Sequence, residues 1–186
     1  MGLGSAATPL TINGVDVFGS LHRSGPNLLS SSSLQVINNS GAARDITVAV
    51  GAIDFAGPIS GFSASGSGTF LSATGSDISL RYFIDAANAQ GGEGANDTPG
   101  DLVSSFDYTA AENPDSFSHT DSGALAIDDP YSMTLQFLFN LDAGGALTSR
   151  GQVIITNVAV PEPVSLALLG TGLLGLAFAT RRRSRP

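Results

Sequence analysis

Apolar and polar positions alternate along most of this chain. In "DISLRYFIDA", Ile78, Leu80, Tyr82 and Ile84 share one face, and Ser79, Arg81, Phe83 and Asp85 the other. In "YSMTLQFLFNLD", Tyr131, Met133, Leu135, Phe137, Phe139 and Leu141 form one face. Ser132, Thr134, Gln136, Leu138 and Asn140 form a mostly polar opposite face. A period of two is the signature of a strand, because successive side chains point to opposite sides of a pleated backbone. "RDITVAVGAIDF" places Ile46, Val48 and Val50 on one side, then changes phase to Ile53 and Phe55. The glycine at that change, Gly51, predicts a bulge or bend there. Further strands are expected over Val15–His22, Leu28–Asn38, Gly68–Thr74, Leu102–Thr109 and Gln152–Ala159.

Between these runs lie turn signals: "NGV", "SGPN", "NNSG", "AGP", "GGEGANDTPGD", "ENPD", "DDP" and "DAGG". Each supplies residues that tolerate left-handed backbone or bond back to their own main chain. About eight strands at this spacing predict an all-β fold, an antiparallel β-sandwich of jelly-roll or Greek-key kind. Gln90–Asp101 is the longest glycine-rich insertion and reads as a mobile loop. No fixed-period repeat and no helix-period segment occur before the C-terminal tail.

The pattern changes abruptly at the end, "VPEPVSLALLGTGLLGLAFATRRRSRP". Residues 164–180 carry no charge. As a helix at about 1.5 Å per residue they span roughly 26 Å, against a hydrocarbon core of about 30 Å. The run is apolar on all sides, whereas a surface helix of a soluble domain is apolar on one. It is closed by Arg181, Arg182, Arg183 and Arg185, which suit the cytoplasmic headgroup layer. The expected organisation is therefore a sandwich domain over 1–159 and a C-terminal transmembrane helix over 164–180 within a tail of 160–186. With the arginines inside, the body lies outside the cytoplasm.

Composition sharpens this reading. Half of the eight arginines lie in the tail, and lysine is absent. Residues 1–159 hold four arginines against fifteen acids, a formal charge of −11. Such a body repels phosphate backbones, so no nucleic-acid partner is expected. Cysteine is absent, which removes disulfides, thiolate metal sites and a cysteine nucleophile. The first ten residues, "MGLGSAATPL", offer neither a basic region nor an apolar stretch for export, although "GSAA" is like the small-residue end of a signal peptide. The expectation is a true start upstream of Met1.

The tail carries a family resemblance. Pro161, Glu162 and Pro163, then a short apolar span, then a terminal arginine cluster together resemble the PEP-CTERM sorting signal, also catalogued as the ice-binding protein C-terminal domain. The body has no Thr-x-Thr array, so the second name attaches to the tail alone. The resemblance implies a Gram-negative protein exported by the Sec route and anchored first in the inner membrane. It also implies recognition by an exosortase, an integral-membrane cysteine protease acting near Pro161–Glu162–Pro163. Such proteins go with extracellular polysaccharide, biofilm and floc formation. The two prolines also make physical sense, since they hold the segment extended as a protease cleft requires.

Catalytic chemistry is poorly provided in the body. The two histidines, His22 and His119, stand apart in sequence from any nucleophile motif; "GFSASG" lacks the Gly-x-Ser-x-Gly spacing. Fifteen acids permit a glycosidase pair, but no two stand out. Tryptophan is absent and tyrosines number three, a thin supply of sugar-stacking platforms. The expected function is a noncatalytic envelope or exopolysaccharide-matrix protein. The alternative is a secreted hydrolase acting on that polysaccharide. No organic cofactor is indicated. Calcium is a candidate ligand of the acidic loops, through Asp85, Glu93, Asn96, Asp97 and Asp101 in one group and Asp121, Asp128 and Asp129 in another. Calcium takes six to eight oxygen ligands, which such loops could supply.

Overall fold

The computed structural model describes residues 9–157, apart from Pro26, Pro58 and Glu93. Ten strands appear in chain order: β1 (Leu10–Ile12), β2 (Val15–Ser24), β3 (Leu28–Asn38), β4 (Arg44–Phe55), β5 (Ile59–Leu71), β6 (Asp77–Asp85), β7 (Asp101–Thr109), β8 (Asp115–Ile127), β9 (Tyr131–Leu141) and β10 (Ala146–Asn157). They form a six-stranded sheet, β1-β2-β3-β10-β5-β8, and a four-stranded sheet, β4-β9-β6-β7. Every ladder is antiparallel.

The last eight strands pair as nested partners: β3 with β10, β4 with β9, β5 with β8, β6 with β7. This is one long hairpin wound around a barrel axis, the jelly-roll arrangement. β1 and β2 extend one edge through a two-residue turn at Asn13–Gly14, whose φ values of 50° and 80° match the twist a tight hairpin needs. The "NGV" signal is this turn.

The alternating faces read from β6 and β9 point inward. Ile78, Leu80, Tyr82 and Ile84, and all of Tyr131, Met133, Leu135, Phe137, Phe139 and Leu141, are buried between the sheets. Facing them are Leu29, Leu34, Val36, Phe62, Ala64, Phe70, Leu147, Val153 and Ile155 from the six-stranded sheet. The ring of Tyr82 reaches across the core, and its hydroxyl donates to the Ser65 carbonyl at 2.8 Å. That approach is possible because Gly66 and Gly151, paired on β5 and β10, carry no side chain beneath it.

The structure revises four details. The irregularity of β4 lies between Ala52 and Phe55, not at Gly51. Asp54 takes a left-handed φ of 60° there, held by reciprocal bonds to Asn88 at 2.8 Å, and this returns Phe55 to the core. β5 begins at Ile59 and ends at Leu71, so it starts well before the expected Gly68 and stops short of Thr74. β10 begins at Ala146, six residues before Gln152. β8, which the apolar pattern did not signal, runs over Asp115–Ile127 because its inward positions include His119, Asp121 and Gly123 in place of large apolar residues.

The glycine-rich loop after β6 is packed. It lies across the outer face of the four-stranded sheet, where Gln136 donates to the Ala95 carbonyl at 2.7 Å and Gln90 reaches the Gly51 carbonyl. Ser132, Thr134 and Gln136, the polar face of β9, are therefore buried. At the opposite end, buried Asn38 donates to the carbonyls of Ala42, Leu141 and Asp142 at 2.8–3.0 Å and accepts from Ser40. It ties the β3–β4 and β9–β10 connections together.

Candidate functional surfaces and the C-terminal signal

The outer face of the six-stranded sheet is built from hydroxyls. On β5, Ser63, Ser65, Ser67 and Thr69 alternate with inward Phe62, Ala64, Gly66, Gly68 and Phe70. On β8, Ser116, Ser118, Thr120 and Ser122 alternate with inward Phe117, His119 and Asp121. The register brings these together as Thr69 with Ser116, Ser67 with Ser118, Ser65 with Thr120 and Ser63 with Ser122. β10 adds Thr148, Arg150 and Gln152 beside Thr69, Ser67 and Ser65. Beyond β10, Ser30 of β3 stands beside Gln152, and Ser33 and Ser20 pair across β3 and β2. Strand pairing at about 4.8 Å and a two-residue repeat of about 6.8 Å set this grid.

A shallow depression of about 360 Å³ opens among Ser32, Ser67, Thr69, Thr148 and Arg150. Arg150 donates through Nε to Ser67 Oγ at 3.2 Å, and Thr69 and Ser116 share a bond at 3.0 Å. The outward positions of β3, β10, β5 and β8 hold no carboxylate. The acids of this sheet lie instead at Asp16 on β2 and at the inward-facing Asp115 and Asp121 of β8, and the rest are on loops and the four-stranded sheet. Sequence reading missed this surface. Its signal was present as Ser/Thr at every second position of "FSASGSGTF" and "SFSHTDS", but the inner positions between them mix phenylalanines with small or polar residues.

A second opening of about 600 Å³ lies where the β1–β2 hairpin overhangs the free edge of β4. It is lined by Leu10, Ile12, Val15, Val17, Ile46 and Val48, with Arg44 and Asp45 at its rim. Leu10 and Ile12 are about half exposed there, at 45% and 55%.

Two of the acidic residues singled out as calcium candidates, Asp85 and Asp97, serve as turn acceptors. Asp85 accepts from the amides of Ala87 and Ala89 at 3.1 and 2.8 Å. Asp97 accepts from Gly92 at 2.8 Å. Asp101 opens β7, Asn96 and Asp97 lie in the packed loop, and Glu93 lies outside the described residues. Asp128 and Asp129 are exposed in the β8–β9 turn, whereas Asp121 points inward and accepts from Ser104 Oγ at 2.6 Å. That bond, with the Ser122 amide and the nearby His119, holds the Asp121 carboxyl below its ordinary range. Among the described residues no three His, Cys, Asp or Glu side chains converge to hold a metal ion. Of the two histidines, His22 is exposed on β2. His119 stacks on Phe106 with ring centroids 4.5 Å apart, and its Nε2 is buried with no hydrogen-bond partner among the described residues.

Three carboxylates do approach one another on the outer face of the four-stranded sheet. Asp45 and Asp77 flank Asn140, which donates to Asp45 at 2.7 Å, and Asp107 accepts from Ser79. Partial burial, then the charges of Asp45 and Asp107, raise the Asp77 carboxyl above its ordinary range.

β10 ends at Asn157, and "VAVPEP" follows at once. The chain ends in a PEP-CTERM protein-sorting motif, residues 159–183. The motif spans Pro161, Glu162, Pro163 and Arg181–Arg183, with Arg185 just beyond it; all of these, and the apolar run 164–180, lie outside the described residues. A PEP-CTERM motif implies an exported protein, a precursor anchored in the membrane by its C-terminus, and processing by an exosortase. Among the described residues no helix is long and apolar enough to cross a membrane. No curated protein matches the chain. Among solved structures, the chain is similar to TmCBM61 in complex with beta-1,4-galactotriose, at 8% identity and a TM-score of 0.39 over 77% of this chain and 90% of that one. It is also similar to a structure described as "CBM4 structure and function", at 15% identity and a TM-score of 0.34 over 75% and 91%. A third is Eiger TNF from S. frugiperda, at 8% identity and a TM-score of 0.32 over 58% and 66%.

Proposed function

We propose that this protein is a noncatalytic component of the cell envelope or exopolysaccharide matrix, delivered there by an exosortase. The observation that carries the proposal is the sorting motif placed directly behind the last strand of the sandwich. The body supports it in two ways. The inward side chains of both sheets pack into one apolar core, and the two openings described above lie at the edge and on the outer face of the sandwich. The hydroxyl face offers many donors and acceptors without a carboxylate, which suits an extended, hydroxyl-rich glycan and avoids repelling one that bears acids. Each such bond contributes only about 0.5–1.5 kcal/mol net, so retention would come from many contacts along a polymer.

The test is co-sedimentation of the mature protein with exopolysaccharide from the producing cell. Ser65→Asp combined with Ser118→Asp puts two charges in the middle of the hydroxyl grid. Binding should weaken by at least about tenfold, or about 1.4 kcal/mol. Arg44→Glu, at the β4 edge, should leave it unchanged. Equal retention of both variants would remove the face from the proposal, and no retention of the parent would remove the glycan.

The hydrolase reading keeps one observation in its favour, because a glycosidase needs an acid with a raised pKa near a second carboxylate. Asp77 meets that description beside Asp45 and Asp107. Asp77→Asn separates the readings. A carboxyl raised in the folded state disfavours folding while it is ionised, and the penalty is relieved as pH falls through the raised value. If Asp77 is structural, the amide should raise the melting temperature at pH 7 by about 1–2 °C, since the group is largely solvent-screened. The gain should vanish near pH 3, where the carboxyl is protonated in both states. Loss of a polysaccharide-cleaving activity in the same variant would favour the enzyme.

A further inference from the structure

The register of the sandwich divides its connections into two opposite ends. At one end lie the β1–β2, β3–β4, β5–β6, β7–β8 and β9–β10 turns; at the other lie the β2–β3, β4–β5, β6–β7 and β8–β9 connections. β10 runs toward the second end between β3 and β5, reaching Leu28 through Ile154 and Ile59 through Asn157. Its exit there is clamped. The Asn27 carbonyl accepts the Ile155 amide at 2.9 Å, and the Asn27 side-chain amide donates back to the Ile155 carbonyl at 3.0 Å. A central strand held on both sides cannot peel away without breaking two ladders, so the folded body persists to about residue 157.

Six residues, 158–163, then separate the sandwich from the apolar run. Fully extended, they reach about 20 Å at most. The sandwich itself is about 36 Å long, from strands of some eleven residues at about 3.3 Å each. Only three residues, 158–160, precede Pro161, a reach of about 10 Å. A membrane-embedded protease that engages Pro161–Pro163 must therefore meet the loops around the β10 exit.

We propose that this end, formed by the β2–β3, β4–β5, β6–β7 and β8–β9 connections, faces the bilayer in the anchored precursor. The inference rests on the reading that the C-terminal run anchors the precursor. The end presents Asp54, Asp85, Asp128 and Asp129, while Arg23 is turned onto its own domain over the Phe55 ring and bonds the Asp54 carbonyl. An acidic surface is not drawn to anionic headgroups. The short tether holds this end near the membrane, and the body is free to leave once the tether is cut.

The chain has no cysteine, so single-cysteine variants of the full-length precursor report cleanly. Ala56→Cys and Asp128→Cys mark the proposed end; Ala42→Cys and Ala143→Cys mark the far one, and all four positions are exposed. Each is labelled with a fluorophore in membranes from cells lacking the exosortase, with a quencher attached to lipid headgroups. Quenching should be several-fold stronger at Ala56→Cys and Asp128→Cys. Inserting twenty Gly/Ser residues after Asn157 should collapse the contrast. Equal quenching at both ends in a membrane-bound precursor would overturn the inference, as would a contrast that survives the insertion, since adhesion and not tethering would then orient the body. A precursor recovered in the soluble fraction would instead sink the anchoring itself, and this inference with it.

Discussion

Replacing Gly66 by valine is expected to lower the melting temperature of the sandwich by about 10 °C. A Cβ on Gly66 would stand 2.2 Å from Leu80 Cδ1 and 3.1 Å from the Tyr82 hydroxyl. Leu80 and Tyr82 are 2% and 1% exposed, so neither has solvent to move into. Two further methyls would press on the same layer. Overpacking of a filled core costs about 1–3 kcal/mol and more when backbone must shift; the upper figure is apt here because the clash is direct. For a domain of this size, about 3 kcal/mol corresponds to roughly 10 °C. The hydrogen bond from Tyr82 to Ser65 would be lost as well. Leu80→Ala in the same chain should recover part of the loss, since the two changes share one space and cannot be additive. Thermal unfolding of the single and double variants checks this. A Gly66→Val protein that melts with the parent would show that the sheets approach less closely at this point.

The larger cellular effect should follow removal of the tail. A precursor lacking residues 164–185 should not be retained in the membrane and should not be processed, because the apolar run and the arginines that orient it are both gone. In cells with a competent exosortase, intact mass of the mature full-length product should show a chain that stops at about the Pro-Glu-Pro segment. Replacing Arg181, Arg182, Arg183 and Arg185 by glutamate should disturb orientation while leaving the sandwich folded, since these residues lie beyond the sandwich's last strand. Mature protein that still carries the terminal arginines would refute the processing.

Local pattern was a good guide wherever one face of a strand is large and apolar. β6 and β9 were legible for this reason: their inward residues are Ile, Leu, Tyr, Met and Phe, and a period of two in such residues has no other explanation. The turn signals likewise fell at real reversals, as at Asn13–Gly14. The sorting motif was the clearest case, since its order of proline, apolar run and arginine is written in sequence and needs no fold to be read.

Tertiary structure decided the rest. β8 and the first half of β5 escaped notice because Gly, Ala, His and Asp interrupt the large apolar residues at their inward positions. Neighbours already fill the space there: Tyr82 and Leu80 reach over Gly66 from the other sheet, and Phe117, on the adjacent strand β8, lies against Gly68. A strand whose partner supplies the bulk need not carry any itself. Nor could the sequence show that Ser132, Thr134 and Gln136 would be covered by a glycine-rich loop, or that scattered serines would align into one acid-free face. Alternation says that a residue points up or down. Register across non-neighbouring segments says which residues it meets, and that was set by the nested pairing of β3 to β10 through contacts far apart in the chain.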